Sequence, residues 1–167
     1  MNTGHDRKSK TEGYTDIWLT PKVIFDAIGL LDNDYCANET RPFDTALQHH
    51  TLSDGDGLKL HWQDTVFCNP PYSNISDWVE KLSKHNDGIL LVFVRTDTKY
   101  WHDYIFDKAT SIYFIKGRLK FMKEDGTIGG TAGAPSCLVA YGVISDDILS
   151  NIDQKILPGK YVSLGGN

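Results

Sequence analysis

Hydrophobic positions occur along the chain in short unbroken runs and in amphipathic stretches, and the two kinds alternate. In "TPKVIFDAIGLL" the residues Val23, Ile24, Ala27, Ile28 and Leu31 recur at helical spacing, with Thr20 as the expected N-cap and Pro21 at the first helical position. A polar, turn-rich stretch from Asn33 to Gly57 comes next, with one short strand candidate around "DYCA". Val66, Phe67 and Cys68 make a compact apolar run of the kind a buried strand uses. Ile75, Trp78, Val79 and Leu82 then mark one face of a helix, capped by Asn74 or Ser76. "GILLVFV" at 88–94 is expected as a central strand buried on both faces. "DTKYWHDYIFDKA" is expected as a second helix, capped by Asp97, with Trp101, Tyr104, Ile105 and Ala109 inward. "SIYFI" and "SCLVAYGV" read as two more strands, separated by "KGRLKF" and a Gly-rich loop at 124–135. "DDILSNIDQKI" reads as a last short helix. Alternating strands and helices predict an α/β domain with a mostly parallel sheet, spanning 14–157. Residues 1–13 are expected to be a disordered basic tail and 158–167 a loose C-terminal tail.

Composition narrows the class without naming a function. A chain of 167 residues with 40% hydrophobic content fits one globular domain. No apolar run reaches membrane-spanning length, and the polar start "MNTGHDRKSKTEG" lacks the apolar segment of an export signal, so a cytoplasmic protein with no membrane partner is expected. Cys36, Cys68 and Cys137 are widely spaced and odd in number, which favours reduced, buried thiols over disulfides or a metal site. The net charge of −5 argues against a bulk polyanion binder, yet basic residues cluster at Arg7, Lys8 and Lys10 and again at Lys116, Arg118, Lys120 and Lys123.

The stretch with chemical content is "FCNPPYS" at 67–73. Consecutive prolines have no N–H to donate, so the strand must stop at Asn69. This places an amide and rigid carbonyls at the strand's carboxyl end, where open α/β sheets bind ligands. A planar amino group such as that of adenine is barely nucleophilic, because its lone pair is shared with the ring. Two acceptors held on its N–H bonds, the Asn69 side-chain oxygen and the Pro70 carbonyl, would stabilise the positive charge that develops as it attacks. Tyr72 adds a face on which a heterocycle can stack.

"NPPY" at 69–72 resembles the catalytic motif of amino-group methyltransferases that use S-adenosylmethionine. The chain as a whole resembles the small phage and prophage DNA adenine methyltransferases of the phage Dam type. The resemblance is carried by "WLTP" at 18–21, "DYCA" at 34–37, "RPFDTA" at 41–46, "DGL" at 56–58 with Trp62, "RTDTKYWH" at 95–102, "IKGRLKF" at 115–121 and "PSCLVAYG" at 135–142. It implies a three-layer Rossmann-like fold and N6 methylation of adenine in double-stranded DNA. It further implies S-adenosylmethionine as cofactor, S-adenosylhomocysteine as product, no metal, and a phage- or prophage-encoded enzyme at work in a bacterial cytoplasm. By the same resemblance Asn69, Pro70, Pro71 and Tyr72 form the catalytic clamp. Trp18, Thr20, Pro21, Asp34, Cys36, Ala37 and Asp56 lie at the cofactor. Arg118 and Phe121 flank the target base, with Phe121 as a second stacking wall, while the basic cluster that includes Lys116 and Lys120, together with Ser73 beside the motif, is expected to face the DNA.

Two departures stand out. The family's proline after the first Asp is Tyr35 here, and "NETRPF" stands where a Gly-x-Gly cradle is expected. With no insertion large enough for a separate reading domain, short or relaxed sequence preference is expected, and a monomer is the default oligomeric state. The same clamp suits other flat amines (an RNA adenine, a cytosine N4 or a protein glutamine), and an inactive DNA-binding decoy is the rival from another class.

Overall fold

The computed structural model describes residues 17–165. The expected basic tail at 1–13 lies outside the described residues. Helix α1 (Lys22–Ile28) is capped by the Pro21 backbone, not by Thr20, and is one turn shorter than the apolar spacing suggests. Gly29 stops it by turning to φ +74°, so Leu31 is buried from the loop beyond the helix.

Two short strands come next, β1 (Asn33–Asp34) and β2 (Gln48–His49). The second was hidden in the polar stretch. Strand β3 (Val66–Cys68) ends where the prolines require. Helix α2 (Ile75–His85) and the central strand β4 (Gly88–Phe93) are next in the chain. The stretch expected as an α-helix after β4 takes a π-helical turn at Trp101–Phe106. There the Trp101 indole N–H donates to the Phe93 carbonyl over 3.1 Å while the ring stays fully buried.

Strand β5 (Ser111–Ile115) leads into a hairpin, β6 (Lys120–Met122) and β7 (Ile128–Thr131), in place of the expected open loop. The hairpin's turn rests on Asp125-Gly126: the Asp125 carboxylate accepts from the Thr127 N–H at 2.8 Å, and Gly126 adopts φ +83°. Strand β8 (Ser136–Tyr141) and helix α3 (Val143–Ser150) come after it, the helix starting earlier than expected. The expectation of a loose tail at 158–167 is corrected by β9 (Gly159–Ser163), an edge strand paired along β5. It seats closely because Gly159 has no Cβ, which would lie 2.5 Å from the Phe114 carbonyl oxygen.

The main sheet has seven strands in the order β2-β1-β3-β4-β8-β5-β9. Strands β2, β1, β3 and β4 run parallel, and β8 is antiparallel to both β4 and β5. It is therefore a mixed sheet, with only β8 and β9 pointing the other way. Alternate residues feed two separate cores. Val66, Cys68, Leu90, Val92 and Val139 pack with α2 and the π-helical turn, while Phe67, Ile89, Leu91, Leu138 and Ala140 pack with α1 and α3. Because β1, β3 and β4 are parallel, their carboxyl ends, at Asp34, Cys68 and Phe93, share one edge. The chain leaves β1 toward β2 on one side and places β3 on the other, a switch point of the kind where such sheets bind ligands.

Candidate active site

At that edge lies a cavity of about 1060 Å³. Its wall brings together Asn69, Pro70, Pro71 and Tyr72 with Trp18, Thr20, Asp34, Cys36, Ala37, Asp56 and Phe121, residues spread over more than a hundred positions of sequence. Pro21, Ser73, Lys116, Arg118 and Lys120, which the sequence also nominates, are not in the wall. Pro21 turns into α1. Ser73 is exposed in the short 3₁₀ turn Tyr72–Asn74. Arg118 Nη1 donates to the Ala132 carbonyl (3.3 Å) and so braces the hairpin.

Asn69 is oriented by two bonds. Its Nδ2 donates to the Trp18 carbonyl at 3.1 Å and to the Thr20 hydroxyl at 3.0 Å. An amide NH₂ carries only two hydrogens, so the Oδ1 acceptor is the group left for a ligand. This explains why Thr20 is buried without capping α1: its hydroxyl serves the amide instead. The segment that holds Asn69 is itself fixed to the hairpin, since Leu19 and Met122 exchange backbone bonds of 2.8 and 3.1 Å.

Tyr72 is anchored at its oxygen, which accepts the Phe93 N–H at 2.8 Å. Burial pushes its phenol well above the usual tyrosine range, so it stays neutral and offers a ring, not a proton. Phe93 stacks on it at 5.0 Å between centroids and 26° between planes. Phe121 meets Phe93 edge-on at 5.9 Å and 87°. Phe121, expected as a second stacking wall, thus reaches the cavity wall and also supports Phe93 from its edge.

On the opposite flank, Asp34 is buried and committed to its own loop. Its carboxylate accepts from the Cys36 N–H at 3.0 Å and the Thr45 hydroxyl at 2.5 Å, and burial raises its pKa. Cys36 and Cys68, distant in sequence, bring their sulfurs to 3.8 Å as free thiols. That contact, together with burial, holds the Cys36 thiol well above its ordinary value. Tyr35 fills the family's proline position by stacking between His50 (4.2 Å, 8°) and Trp62 (5.2 Å, 9°). Asp56 keeps a half-exposed carboxylate in the wall, with one oxygen taking the Leu58 N–H at 3.0 Å. Gly57 beside it touches the Tyr35 backbone, where a Cβ would fall 2.0 Å from the carbonyl oxygen. The "NETRPF" loop is braced by side chains where glycines were expected, Arg41 Nη1 donating to the Asn38 carbonyl at 2.9 Å.

A family model described as "DNA N-6-adenine-methyltransferase (Dam)" matches residues 8–148. The chain belongs to the Dam family. Neither the curated proteins nor the solved structures yield a match. As a Dam-family methyltransferase of DNA adenine, the protein carries its "NPPY" at the cavity edge of β3. Among the described residues no group of three or more His, Cys, Asp or Glu is placed to hold a metal ion, and no helix is long and apolar enough to cross a membrane.

Sequence reasoning missed Phe93, Arg95, Arg41 and Thr45 in the wall of this Dam-family site. For Phe93 and Arg95 the signal was present, because "GILLVFV" had to deliver its last residues and the turn after them to the same sheet edge as "NPPY". His49 on β2 bears on stability. Its Nε2 accepts the Thr45 N–H at 3.0 Å, which requires a neutral ring, and burial lowers its pKa below the ordinary 6.5. Asp44, 3.9 Å away and exposed, does not offset this. The unfolded chain therefore binds a proton that the folded chain resists. Stability is expected to be unaffected by this group above 6.5 and to fall as pH drops below it. Melting temperatures across that range check it, with His49→Gln expected to flatten the acid limb.

Proposed function

We propose that this protein transfers a methyl group from S-adenosylmethionine to the N6 amino group of adenine in double-stranded DNA, on a three-layer Rossmann-like domain. The observation that carries the reading is the orientation of Asn69, whose two amide hydrogens are consumed by Trp18 and Thr20 so that Oδ1 remains to accept. The cavity fits the cofactor on three counts. It is large enough, Gly57 lets the loop bearing Asp56 close against the Tyr35 backbone, and Asp56 offers a half-exposed carboxylate for hydroxyls of the adenosine moiety. Trp18, Thr20, Cys36, Ala37 and Asp56 would hold it, with Asp34 ordering the loop. When bound, the cofactor supplies a sulfonium-activated methyl group and leaves as S-adenosylhomocysteine.

The chain's own residues do the rest. The target base leaves the stack at a cost of about a few kcal/mol. The Tyr72 ring, which lines the cavity, takes it, backed by Phe93. Asn69 Oδ1 and the Pro70 carbonyl accept its two N–H bonds and stabilise the charge on nitrogen until the surplus proton leaves to water. Positioning supplies most of the acceleration, with no covalent intermediate. The resemblance of the sequence to phage- and prophage-encoded enzymes supports a phage or prophage origin and a bacterial cytoplasmic setting. The hairpin and nearby loops are the local reading surface beside the cavity, which supports a short target sequence.

Duplex DNA incubated with the protein and S-adenosylmethionine, then digested for mass spectrometry, tests the reading. N6-methyladenine is the expected product. Modified cytosine, RNA or glutamine with no methyladenine would replace the acceptor, and cofactor binding without transfer to any of them would favour the decoy.

A further inference from the structure

We propose that Arg95 anchors a phosphate of the extruded target nucleotide. This deepens the methyl-transfer reading and rests on it. Of the motifs singled out in the sequence, "RTDTKYWH" was assigned no site residue, yet it leaves β4 at the same edge as "NPPY" and brings Arg95, Asp97, Thr98 and Tyr100 to the same cavity. Its turn is held at each end. The Val94 N–H donates to the Pro135 carbonyl at 2.8 Å. The Arg95 carbonyl accepts from the Thr98 N–H at 3.1 Å and the Thr98 hydroxyl at 2.7 Å. His102 Nε2 lies 2.8 Å from the Thr96 carbonyl oxygen. An arginine on so well tied a turn has a defined place.

That place is the cavity wall beside the aromatic rings. The Arg95 guanidinium carbon sits 5.8 Å from the Phe93 ring centroid, the ring on which Tyr72 stacks. Its charge is felt at both Tyr72 and Tyr100, where it favours the ionised phenol against burial. Arg95 itself makes no ion pair with any carboxylate among the described residues, on a chain whose net charge is −5. Arg41, the other arginine in the wall, is tied to the Asn38 carbonyl on the cofactor flank. A base swung into this cavity brings its flanking phosphates to the mouth, and a guanidinium fork takes a phosphate with two parallel bonds. Stacking on Phe93 leaves the edges of the fork free for that purpose. The DNA contact that the sequence assigned to Lys116, Arg118 and Lys120 thus gains a member next to the reacting base.

The test begins with wild-type protein on duplex oligonucleotides. Absence of N6-methyladenine would overturn the methyl-transfer reading and this inference with it. With methylation in hand, Arg95→Ala should raise the KM for DNA about 10-fold and lower the slope of log affinity against log salt by about one. Calorimetric binding of S-adenosylmethionine should be unchanged. Duplexes carrying one neutral methylphosphonate linkage at each position around the target then locate the contact. Wild type should lose about 10-fold at one linkage flanking the adenine, and Arg95→Ala should lose nothing further there. Arg95→Lys should restore the salt slope but only part of the KM, and circular dichroism checks that both variants fold. A weakened cofactor affinity would assign Arg95 to the cofactor's carboxylate instead. Equal methylphosphonate losses in wild type and variant at every linkage would remove the phosphate contact while leaving the methyl-transfer reading intact.

Discussion

Asn69→Ala is expected to reduce kcat for methyl transfer by about 100- to 1,000-fold while S-adenosylmethionine affinity stays within about a few-fold. The size reflects what the amide does. Its oxygen is one of two acceptors that make a poorly nucleophilic amine reactive, and an acceptor aimed before the reaction costs no reorganisation during it. Thr20→Val separates aim from identity, because it removes the hydroxyl that accepts Nδ2 at 3.0 Å and leaves Asn69 in place. That variant should lose about 10-fold in kcat, since the Trp18 carbonyl at 3.1 Å still holds one hydrogen. Single-turnover methylation with labelled cofactor, alongside calorimetry, reads both numbers. Parallel loss of binding and transfer in Asn69→Ala would remove the clamp role.

The largest effect on the fold is expected from Gly57→Ala. The added carbon would lie 2.0 Å from the Tyr35 carbonyl oxygen and 2.7 Å from the Trp78 ring, and neither neighbour can yield easily. Tyr35 is stacked between His50 and Trp62, and the Trp62 indole N–H donates to the Gly57 carbonyl at 2.9 Å. Overpacking against backbone is expected to cost about 3 kcal/mol, lowering the melting temperature by about 6–12 °C. The Asp56 carboxylate would be displaced with it, so cofactor affinity should fall in the fraction that still folds. Gly130→Ala is the control. That glycine also lines the cavity, but a Cβ there meets nothing within 4 Å, so stability should hold within about 0.5 kcal/mol. A Gly57→Ala protein melting with wild type would show that the Tyr35 turn is softer than its stacking implies.

Much of this architecture was legible because its signals are local. "VFC" before two prolines fixes both a strand and its end, and "GILLVFV" and "SCLVAY" are too apolar to lie anywhere but the sheet centre. Elements whose stability comes from distant partners were less visible. The edge strand Gly159–Ser163 depends on the paired length of β5 and on a glycine seated over Tyr113, and nothing in "GKYVS" announces either. The hairpin was masked by its glycines, although Asp125-Gly126 is a turn signal in its own right. At the site, residue types singled out the clamp, Asp34, Cys36, Ala37 and Asp56, and the fold brings all of these to one cavity wall. Thr20 looked like a cap because Thr before Pro usually is one, and only the fold reveals the amide it serves. The lysines and arginine of "KGRLK" drew attention by clustering, whereas Arg95 stands alone in sequence and becomes prominent only through what surrounds it.

The strip of backbone at 17–20 connects parts that lie far apart along the chain. One edge of it is laced to Met122 in the hairpin, and two of its oxygens grip an amide 51 and 49 positions downstream. Loss of residues 17–20 would therefore unhitch the hairpin and leave the Asn69 amide without its two acceptors, disabling chemistry that lies about a third of the chain away.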